Sequence, residues 1–428
     1  MKRIVKYCLL AILLACLAAI ATLYWMGTRE TAPGAALAAP ADTGRMVEQG
    51  RYLARLGNCM ACHTTQGGQA YAGGTAIPTP FGTLYGPNIT PDPQTGIGDW
   101  NADDFWRALH NGKSKDGSLL YPAFPYTEYT RISRADSDAL FAYLRTLEPV
   151  SQPSRPHELA FPYNQRSLLA FWRALYFQPG VLEADPGESV PWNRGRYLVE
   201  GLGHCAACHA PRNRLGATRA ADGLAGGLIA GLDWYAPPLG NDPNTGLGNW
   251  SAQDIAMLLQ TGMARHSTAS GPMAEVVLGS SQYLNDDDAL AIGTYLKSLP
   301  STPAAGPARG PEPSAALMDH GGKLYQQHCA QCHQDQGQGS GTAWPALAGN
   351  PTVTAPSPVN TIRMVLDGGF APATAANPWP HGMPPFGPVL ADNDIAALVS
   401  YIRSSWGNQA GGVRPFEVKR VRDASTLN

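Results

Sequence analysis

Apolar and polar positions along the chain follow the same order three times. Each repeat opens with a helical stretch, predicted over residues 45–56, 193–202 and 319–327. A middle helix follows in each repeat, predicted over residues 105–110, 255–260 and 362–367. The first and second repeats also share a loop, at residues 93–100 and 243–250, which the third repeat lacks. The pattern predicts three small helical units in tandem, which is an all-α fold.

The last helix of each repeat has one shared sequence pattern. It reads Asp, two residues, Ala, Leu or Ile, two residues, Tyr, Leu or Ile, and a basic residue, and the copies begin at Asp136, Asp288 and Asp394. These spacings place the Ala, the Leu or Ile and the Tyr on one helix face. The acidic start and basic end suit the helix dipole, and Ser133 and Asn285 are the predicted N-caps of the first two copies.

Proline-rich stretches divide the chain into predicted segments. In order these are an export or anchor segment at 1–44, a first domain at 45–150, a linker at 151–190, a second domain at 191–300, a Pro-rich linker at 301–313, a third domain at 314–410 and a C-terminal tail at 411–428. The first linker contains an apolar aromatic segment at 161–177. We expect this segment to form a helix packed between the first two units; a membrane or partner contact is the alternative.

The N-terminus begins with basic residues and continues as an apolar run from 7 to 26. A basic start before an apolar core is typical of an export signal. A run of about 20 residues is also long enough to span a bilayer. We favour an uncleaved anchor, because Tyr24 and Trp25 end the run with side chains that suit the membrane interface. Cleavage after a small-residue site at 36–38 is the alternative, and in either case most of the chain lies outside the cytoplasm.

Charge and composition bear on which classes of protein the chain can belong to. The formal net charge is −2 and no long basic run occurs, so nothing in the charge pattern indicates nucleic-acid binding. The chain contains 47 Gly and 37 Pro, which predicts compact domains with much irregular loop.

Six of the eight cysteines form three C-x-x-C-H motifs. The motifs are Cys59, Cys62 and His63; Cys205, Cys208 and His209; and Cys329, Cys332 and His333. Two thiols at this spacing add to the vinyl groups of a haem, and the following His reaches the iron from the same side. A zinc site uses similar residues, but three copies in an exported chain favour three covalently bound haem c groups. The remaining Cys8 and Cys16 lie in the apolar run, so no cysteine is left for a disulfide in the exported part.

A thioether sulfur is the usual second axial ligand in an electron carrier, because it favours the ferrous state. Met273 and Met383 stand in Pro-bearing loops before the last helix of the second and third repeats, where a distal ligand belongs. We therefore predict that these two methionines ligate iron. The other methionines of these repeats are weaker candidates: two lie on the middle helices and are expected in the core, Met257 and Met364, and two lie at uninformative positions, Met263 and Met318.

The first repeat departs from this arrangement. No methionine occurs between Met60 and Met257, and Phe124 occupies the position that corresponds to the predicted ligands. Either the first iron keeps an open sixth position, or a more distant group ligates it; His110 and His157 are the histidines available in the neighbourhood. The corresponding residues in the other repeats count against His110, because a Gln and an Asp there indicate a solvated helix position. His157 lies outside the repeat.

These motifs, together with the segments 121–127, 271–277 and 401–408, resemble the three-haem cytochrome c subunit of membrane-bound periplasmic dehydrogenases. The resemblance covers nearly all of the chain after residue 44. It implies three tandem class I cytochrome c domains on the periplasmic side of the bacterial inner membrane. Family members often carry a Met where Phe124 stands, so that ligand does not transfer to this chain.

The resemblance also implies partners. A catalytic subunit of quinoprotein, flavin or molybdenum type would reduce the haems, and ubiquinone or another downstream acceptor would take the electrons. Nothing in the residues indicates a catalytic site of the chain's own, since no Ser-His-Asp set, nucleotide loop or carboxylate pair is evident. Two alternatives remain open: a cytochrome subunit that feeds a terminal oxidase, and a haem peroxidase that uses an open site at the first haem.

Overall fold

The computed structural model describes residues 2–31, 43–219, 222–302, 310–341 and 343–425. The chain forms two compact units. The first comprises Met1–Ala54, Cys59–Glu183 and Arg214–Ala217, and the second comprises Arg55–Asn58, Ala184–Asn213 and Thr218–Asn428. Within the described parts both units are built of helices with a few short strands, which confirms the all-α prediction.

The first unit contains the N-terminal helix and the first repeat. Its helices are α1 Lys2–Thr28, α2 Thr43–Leu56, α3 Cys59–His63, α4 Ala102–Asn111, α5 Tyr126–Tyr129, α6 Arg134–Leu144 and α7 Leu169–Tyr176. Three short antiparallel strands pair in the order β1 Ala76–Thr79, β2 Gly82–Tyr85 and β3 Glu158–Leu159. The α7 helix and a preceding 3₁₀ turn, Arg166–Leu168, form within the aromatic segment predicted to be helical.

The second unit contains the second and third repeats. The second repeat has α8 Val190–Tyr197, a π-helical turn Leu198–Leu202, α9 Ala206–His209, α10 Ala252–Thr261, α11 Pro272–Gly279, a 3₁₀ turn Ser281–Tyr283 and α12 Asp286–Ser298. Its strand pairs are β4 Gly227–Ile229 with β5 Trp234–Ala236, and β6 Met263–Ala264 with β7 Ser267–Thr268. The third repeat has α13 Ala315–His328, α14 Ala330–His333, α15 Pro351–Thr354, α16 Val359–Asp367, the pair β8 Gly369–Phe370 and β9 Gly382–Met383, α17 Asp392–Ser404 and α18 Pro415–Ser425.

The last helix of each repeat begins as its sequence predicts. The Ser133 side chain accepts a hydrogen bond from the Asp136 N–H, and the Asn285 side chain accepts one from the Asp288 N–H. In the third repeat no capping side chain precedes α17, and Asp394 instead accepts from the backbone N–H at the helix start. These bonds satisfy N–H groups that have no partner inside the helix.

The first and last helices of each repeat cross at a glycine. A Cβ atom on the glycine would lie 1.9, 2.0 or 2.3 Å from the carbonyl oxygen of the Ala in the shared pattern, for the pairs Gly50–Ala139, Gly195–Ala291 and Gly321–Ala397. Only glycine allows so close an approach of two helix backbones. The second repeat has one more residue between this glycine and its first cysteine than the first repeat has, and the π-helical turn accommodates it.

The second and third repeats pack together as one body. The side chain of Asn360 accepts from the Tyr235 N–H at 2.8 Å and donates to the Tyr235 carbonyl at 2.7 Å, so it continues the edge of β5. The Tyr235 ring joins the buried apolar cluster of the third repeat. The Arg363 Nε also donates to the Asp233 carbonyl at 3.0 Å. The predicted linker between these repeats lies largely outside the described residues.

The segment predicted as a C-terminal tail contains α18, which packs on the third repeat. Val418 and Val421 are buried in the same cluster as Ile395 of α17. The Arg422 Nε donates to the Asp392 carboxylate at 2.8 Å. The helix therefore completes the core of the third repeat.

Candidate haem sites

Each C-x-x-C-H motif forms a short helical turn directly after the first helix of its repeat. The helix α3 contains both cysteines and the histidine, whereas in α9 and α14 the first cysteine is the N-cap residue and the second cysteine and the histidine lie in the helix. Burial and the neighbouring Cys62 raise the pKa of the Cys59 thiol to about 12. Burial likewise raises the pKa of the Cys329 thiol to about 12. Before haem attachment, the Cys59 and Cys329 thiols are therefore mostly in the neutral form at pH 7.

The three motif histidines are held by the same contact. The Nδ1 atom of each lies within hydrogen-bond distance of a proline carbonyl oxygen, at 2.7 Å for His63 and Pro87, 2.7 Å for His209 and Pro237, and 2.9 Å for His333 and Pro345. A carbonyl only accepts, so Nδ1 carries the proton and Nε2 keeps its lone pair for a metal. Burial lowers the pKa of all three imidazoles, which also favours the neutral, ligating form.

A glycine completes the support of each histidine. The backbone carbonyl of the histidine accepts from the N–H of a glycine with positive φ, at 2.7 Å from Gly73, 2.8 Å from Gly226 and 3.0 Å from Gly339. A Cβ on Gly73 would lie 2.5 Å from the carbonyl carbon of Pro87. The other two glycines approach the corresponding proline peptides as closely. Each histidine is thus fixed at ring and backbone by one tight loop, and this donor set fits a haem iron.

The structure places one predicted methionine ligand at the start of a helix and the other at the end of a short strand. Met273 lies in the first turn of α11, after Gly271 with φ 53° and Pro272 at the first helical position. Met383 lies in β9, where its backbone pairs with Gly369. Both side chains are half-buried.

The structure also shows the surroundings of two other methionines, Met257 and Met263. Met257 was expected in the core, and this was wrong, because its side chain is 38% exposed on α10. The Met263 sulfur accepts from the Asn377 side-chain amide at 3.2 Å, so it already has a partner. Neither observation makes Met257 or Met263 a better candidate for an iron ligand than Met273 or Met383.

In the first repeat Phe124 packs on Tyr129, which neighbours the haem-attachment motif. Its ring is 5.5 Å from the ring of Tyr129. Burial and the proximity of Cys59 and Cys62 raise the pKa of Tyr129 well above its usual value. Phe124 is therefore packed on a residue that itself neighbours both attachment thiols, and a phenyl ring offers no electron pair to iron.

His110 is not on a solvated helix face, as the sequence suggested. It is 3% exposed, its ring stacks on Trp106 with centroids 4.4 Å apart, and its Nδ1 lies 2.8 Å from the Thr130 carbonyl. The side chain is enclosed by protein on all sides. The sequence did not reveal this because the burial depends on the loop that follows α5.

His157 accepts a hydrogen bond at Nδ1 from the Tyr85 backbone N–H at 3.2 Å. In the neutral ring the proton then sits on Nε2, and the lone pair that would ligate iron is absent there. A metal-bound histidine shows the opposite arrangement, as the three motif histidines do.

The proline carbonyls and the glycine donors were missed by sequence reasoning. Pro87, Pro237 and Pro345 stand at different distances along the chain from their histidines, and so do the glycines. The one sequence signal for these contacts was that Gly and Pro residues recur after each motif. With these contacts, the three sites define a three-haem electron-transfer protein.

Comparison with known proteins agrees with this class. A family model for cytochrome c matches residues 47–148, 193–300 and 318–406. The chain is 41% identical over 409 residues to the alcohol dehydrogenase (quinone) cytochrome c subunit of Gluconacetobacter polyoxogenes, covering 91% of this chain and 87% of that protein. It is 40% identical over 411 residues to the gluconate 2-dehydrogenase cytochrome c subunit of Pantoea cypripedii, covering 92% and 93%. It is 38% identical over 415 residues to the fructose dehydrogenase cytochrome subunit of Gluconobacter japonicus, covering 90% and 84%.

The chain therefore belongs to the cytochrome c family. It has three cytochrome c domains in tandem and binds three haem c groups covalently. Its relatives are electron-transfer subunits, so the alternative of an independent peroxidase is not favoured.

Proposed function

We propose that this chain is the cytochrome c subunit of a membrane-bound periplasmic dehydrogenase. It takes electrons from a catalytic subunit and delivers them to ubiquinone or another respiratory acceptor. The observation that carries the proposal is similarity over most of both chains to subunits of alcohol, gluconate and fructose dehydrogenases. Those three relatives are almost equally similar to this chain yet serve different substrates, so the substrate belongs to the catalytic partner.

We assign the haem contacts residue by residue. Cys59, Cys62, Cys205, Cys208, Cys329 and Cys332 attach the three groups, and His63, His209 and His333 are the proximal ligands. Met273 and Met383 are the distal ligands of the second and third groups. We place the three domains at 45–150, 191–300 and 314–410, and α18 packs on the third of them.

For the first haem we assign an open sixth position. Phe124 stands where the other two domains place a methionine. His110 is enclosed by protein, and the Nδ1 of His157 accepts a backbone hydrogen bond. A bound haem c supplies reversible one-electron transfer at its iron. The chain's own contribution is to orient each histidine through a proline carbonyl and to exclude water with the buried clusters around it.

We also propose that α1 is a retained membrane anchor. Among the described helices it is the one long and apolar enough to cross a membrane, and its apolar stretch is exposed throughout. Lys2, Arg3 and Lys6 precede that stretch, as the cytoplasmic end of a spanning helix requires. The domain that follows then lies on the periplasmic side.

Contacts at the end of α1 support its retention. The Arg173 guanidinium is 2% exposed, and its Nε donates to the Gly27 carbonyl at 2.7 Å. The Lys113 ammonium, 8% exposed, donates to the Thr28 carbonyl and lies 2.8 Å from the Glu30 carboxylate. Cleavage at 36–38 would remove both acceptors of the Lys113 ammonium, and it would leave the Arg173 guanidinium with the Asn111 carbonyl but without the Gly27 carbonyl. Losing acceptors is costly for buried charges. The alternative cleavage site at 36–38 lies outside the described residues.

Co-purification tests the proposed function. Native membranes are solubilised in mild detergent, and the chain is isolated through a C-terminal tag beside an untagged control strain. We expect a large oxidoreductase subunit in stoichiometric amount, and reduction of the haems by that subunit's substrate. Recovery of oxidase subunits in its place would contradict the dehydrogenase assignment.

A further inference from the structure

The helix α7 exposes an apolar surface. Leu175 at 60% exposure and Tyr176 at 38% lie on α7, Leu168 at 44% ends the 3₁₀ turn before it, and Phe161 at 79% and Tyr163 at 43% lie in a separate turn just upstream. We call these five residues the α7 surface. The one charged side chain of α7 is Arg173, which points inward and is buried. A surface helix normally shows the opposite arrangement, with charges outward.

The same helix packs directly against the end of α1. Ala170 approaches Gly27 so closely that a Cβ on the glycine would lie 1.7 Å from the Ala170 carbonyl oxygen. The ring of Phe171 lies 6.1 Å from that of Tyr24. The buried bond from Arg173 to the Gly27 carbonyl ties the two helices together. The position of α7 is therefore fixed relative to the last turn of α1.

The last turn of α1 is where the apolar run ends. The run extends to Met26, and the polar contacts of Thr28, Glu30 and Thr31 with the domain begin directly after it. A helix beside this turn stands at the depth of the lipid headgroups. Phe, Tyr and Leu side chains on an outward face are what an interfacial helix inserts at that depth.

We propose that the α7 surface lies in the periplasmic headgroup layer of the bilayer that α1 spans, with phospholipid as its occupant. This rests on the proposed retention of α1, because α1 sets the depth. The spanning helix and the interfacial helix together hold the first unit against the membrane at two points. A bilayer covers all five exposed apolar residues at once, which water does not do favourably.

Site-directed alkylation in nanodiscs tests the proposal. The full-length haem-loaded chain carries Cys8→Ser and Cys16→Ser, so that the six remaining native cysteines are bound to haem. Single cysteines are then placed by Leu175→Cys on the α7 surface, Gln69→Cys in an exposed polar loop, and Leu13→Cys in α1. We expect a charged maleimide to react with position 175 at least about tenfold more slowly than with position 69, because desolvation raises a thiol pKa by a unit or more. A phosphatidylcholine with an acyl-chain diazirine should form adducts within residues 161–177.

The outcomes separate this proposal from the proposed anchor. Equal rates at positions 175 and 69, with position 13 protected, would overturn the α7 surface as a lipid contact and leave the anchor in place. An intact mass without α1 would overturn both. Protection of position 175 without lipid adducts, together with cross-links to a second copy, would show that protein covers the surface and would overturn the proposal too.

Discussion

The iron sites of the third and first domains are alike on one side and different on the other. On the proximal side, His333 and His63 have Nδ1 atoms 2.9 and 2.7 Å from a proline carbonyl, and each accepts a glycine N–H at its own carbonyl. On the other side, where we propose the sixth ligand of each iron, the third domain carries Met383 and the first carries Phe124.

The difference shows which half of a site the fold enforces. The proximal half is made of backbone atoms and a left-handed glycine, so it is inseparable from the loop that forms each domain. The proposed distal half is one side chain before the last helix, in the strand β9 for Met383 and in the bend before α5 for Phe124. In our assignment, that side chain changes from a ligand in the third domain to an inert ring in the first, and both domains keep the same crossing of first and last helix at a glycine.

Replacing Met383 by Ala should produce the largest change. Loss of the thioether is expected to lower the potential of the third haem by on the order of 100 mV or more, a fraction of the roughly 0.8 V that axial ligands control. Redox titration of the purified chain measures this. The matched variant Phe124→Ala should leave all three potentials close to those of the unchanged chain. An unaltered titration of Met383→Ala would show that another group ligates this iron.

Replacing Phe124 by Met should make the first site resemble the third. We expect a further Met–iron charge-transfer absorption and loss of carbon monoxide binding, since the added sulfur occupies the open position. Phe124→Leu, which offers no ligand, should still bind carbon monoxide. If the unchanged reduced chain binds none, a histidine closes the site, and His110→Ala and His157→Ala would identify which one.

Replacing the glycine that supports the proximal histidine should have the same effect on stability in the first and third domains. Gly73→Ala and Gly339→Ala each force a Cβ against a proline peptide, and we expect a loss of about 1–3 kcal/mol in the free energy of unfolding. Gly117→Ala is the control, because Gly117 also has positive φ but no atom within 4 Å of the added Cβ. Urea unfolding followed by circular dichroism provides the comparison. A loss at Gly117 as large as at Gly73 would attribute the effect to backbone strain alone.

Replacing His110 by Gln, the residue at the corresponding position 260, should have a smaller effect, which is on the pH dependence of the free energy of unfolding. Burial lowers the pKa of the His110 imidazole, so the unfolded chain binds the proton more readily. Stability should therefore fall as the pH drops below about 6.5, by at most about 1.4 kcal/mol per pH unit until the folded pKa is reached. His110→Gln, which can still donate to the Thr130 carbonyl, should remove this part of the slope. Urea unfolding at pH 7 and pH 5 checks it, and identical slopes would contradict a buried neutral histidine.

Local features of this protein were readable from its sequence. The cysteines and histidines of each attachment turn are neighbours in the chain, so their spacing, repeated three times in a chain with an export signal, predicts covalent haem binding. The helices follow from residue periodicity, and Ser133 and Asn285 cap them because capping is a contact between residues three apart. The substitution at Phe124 was also visible, because internal repeats align with one another.

Tertiary structure alone decided the contacts between distant residues. His110 is buried by a loop some twenty residues away, and the proline that orients each histidine stands at a different distance along the chain in every domain. The contact of α7 with α1 joins Arg173 to Gly27, which no local pattern connects. Periodicity specifies which face of a helix is apolar, but the partner of that face is chosen by the packing of the whole unit.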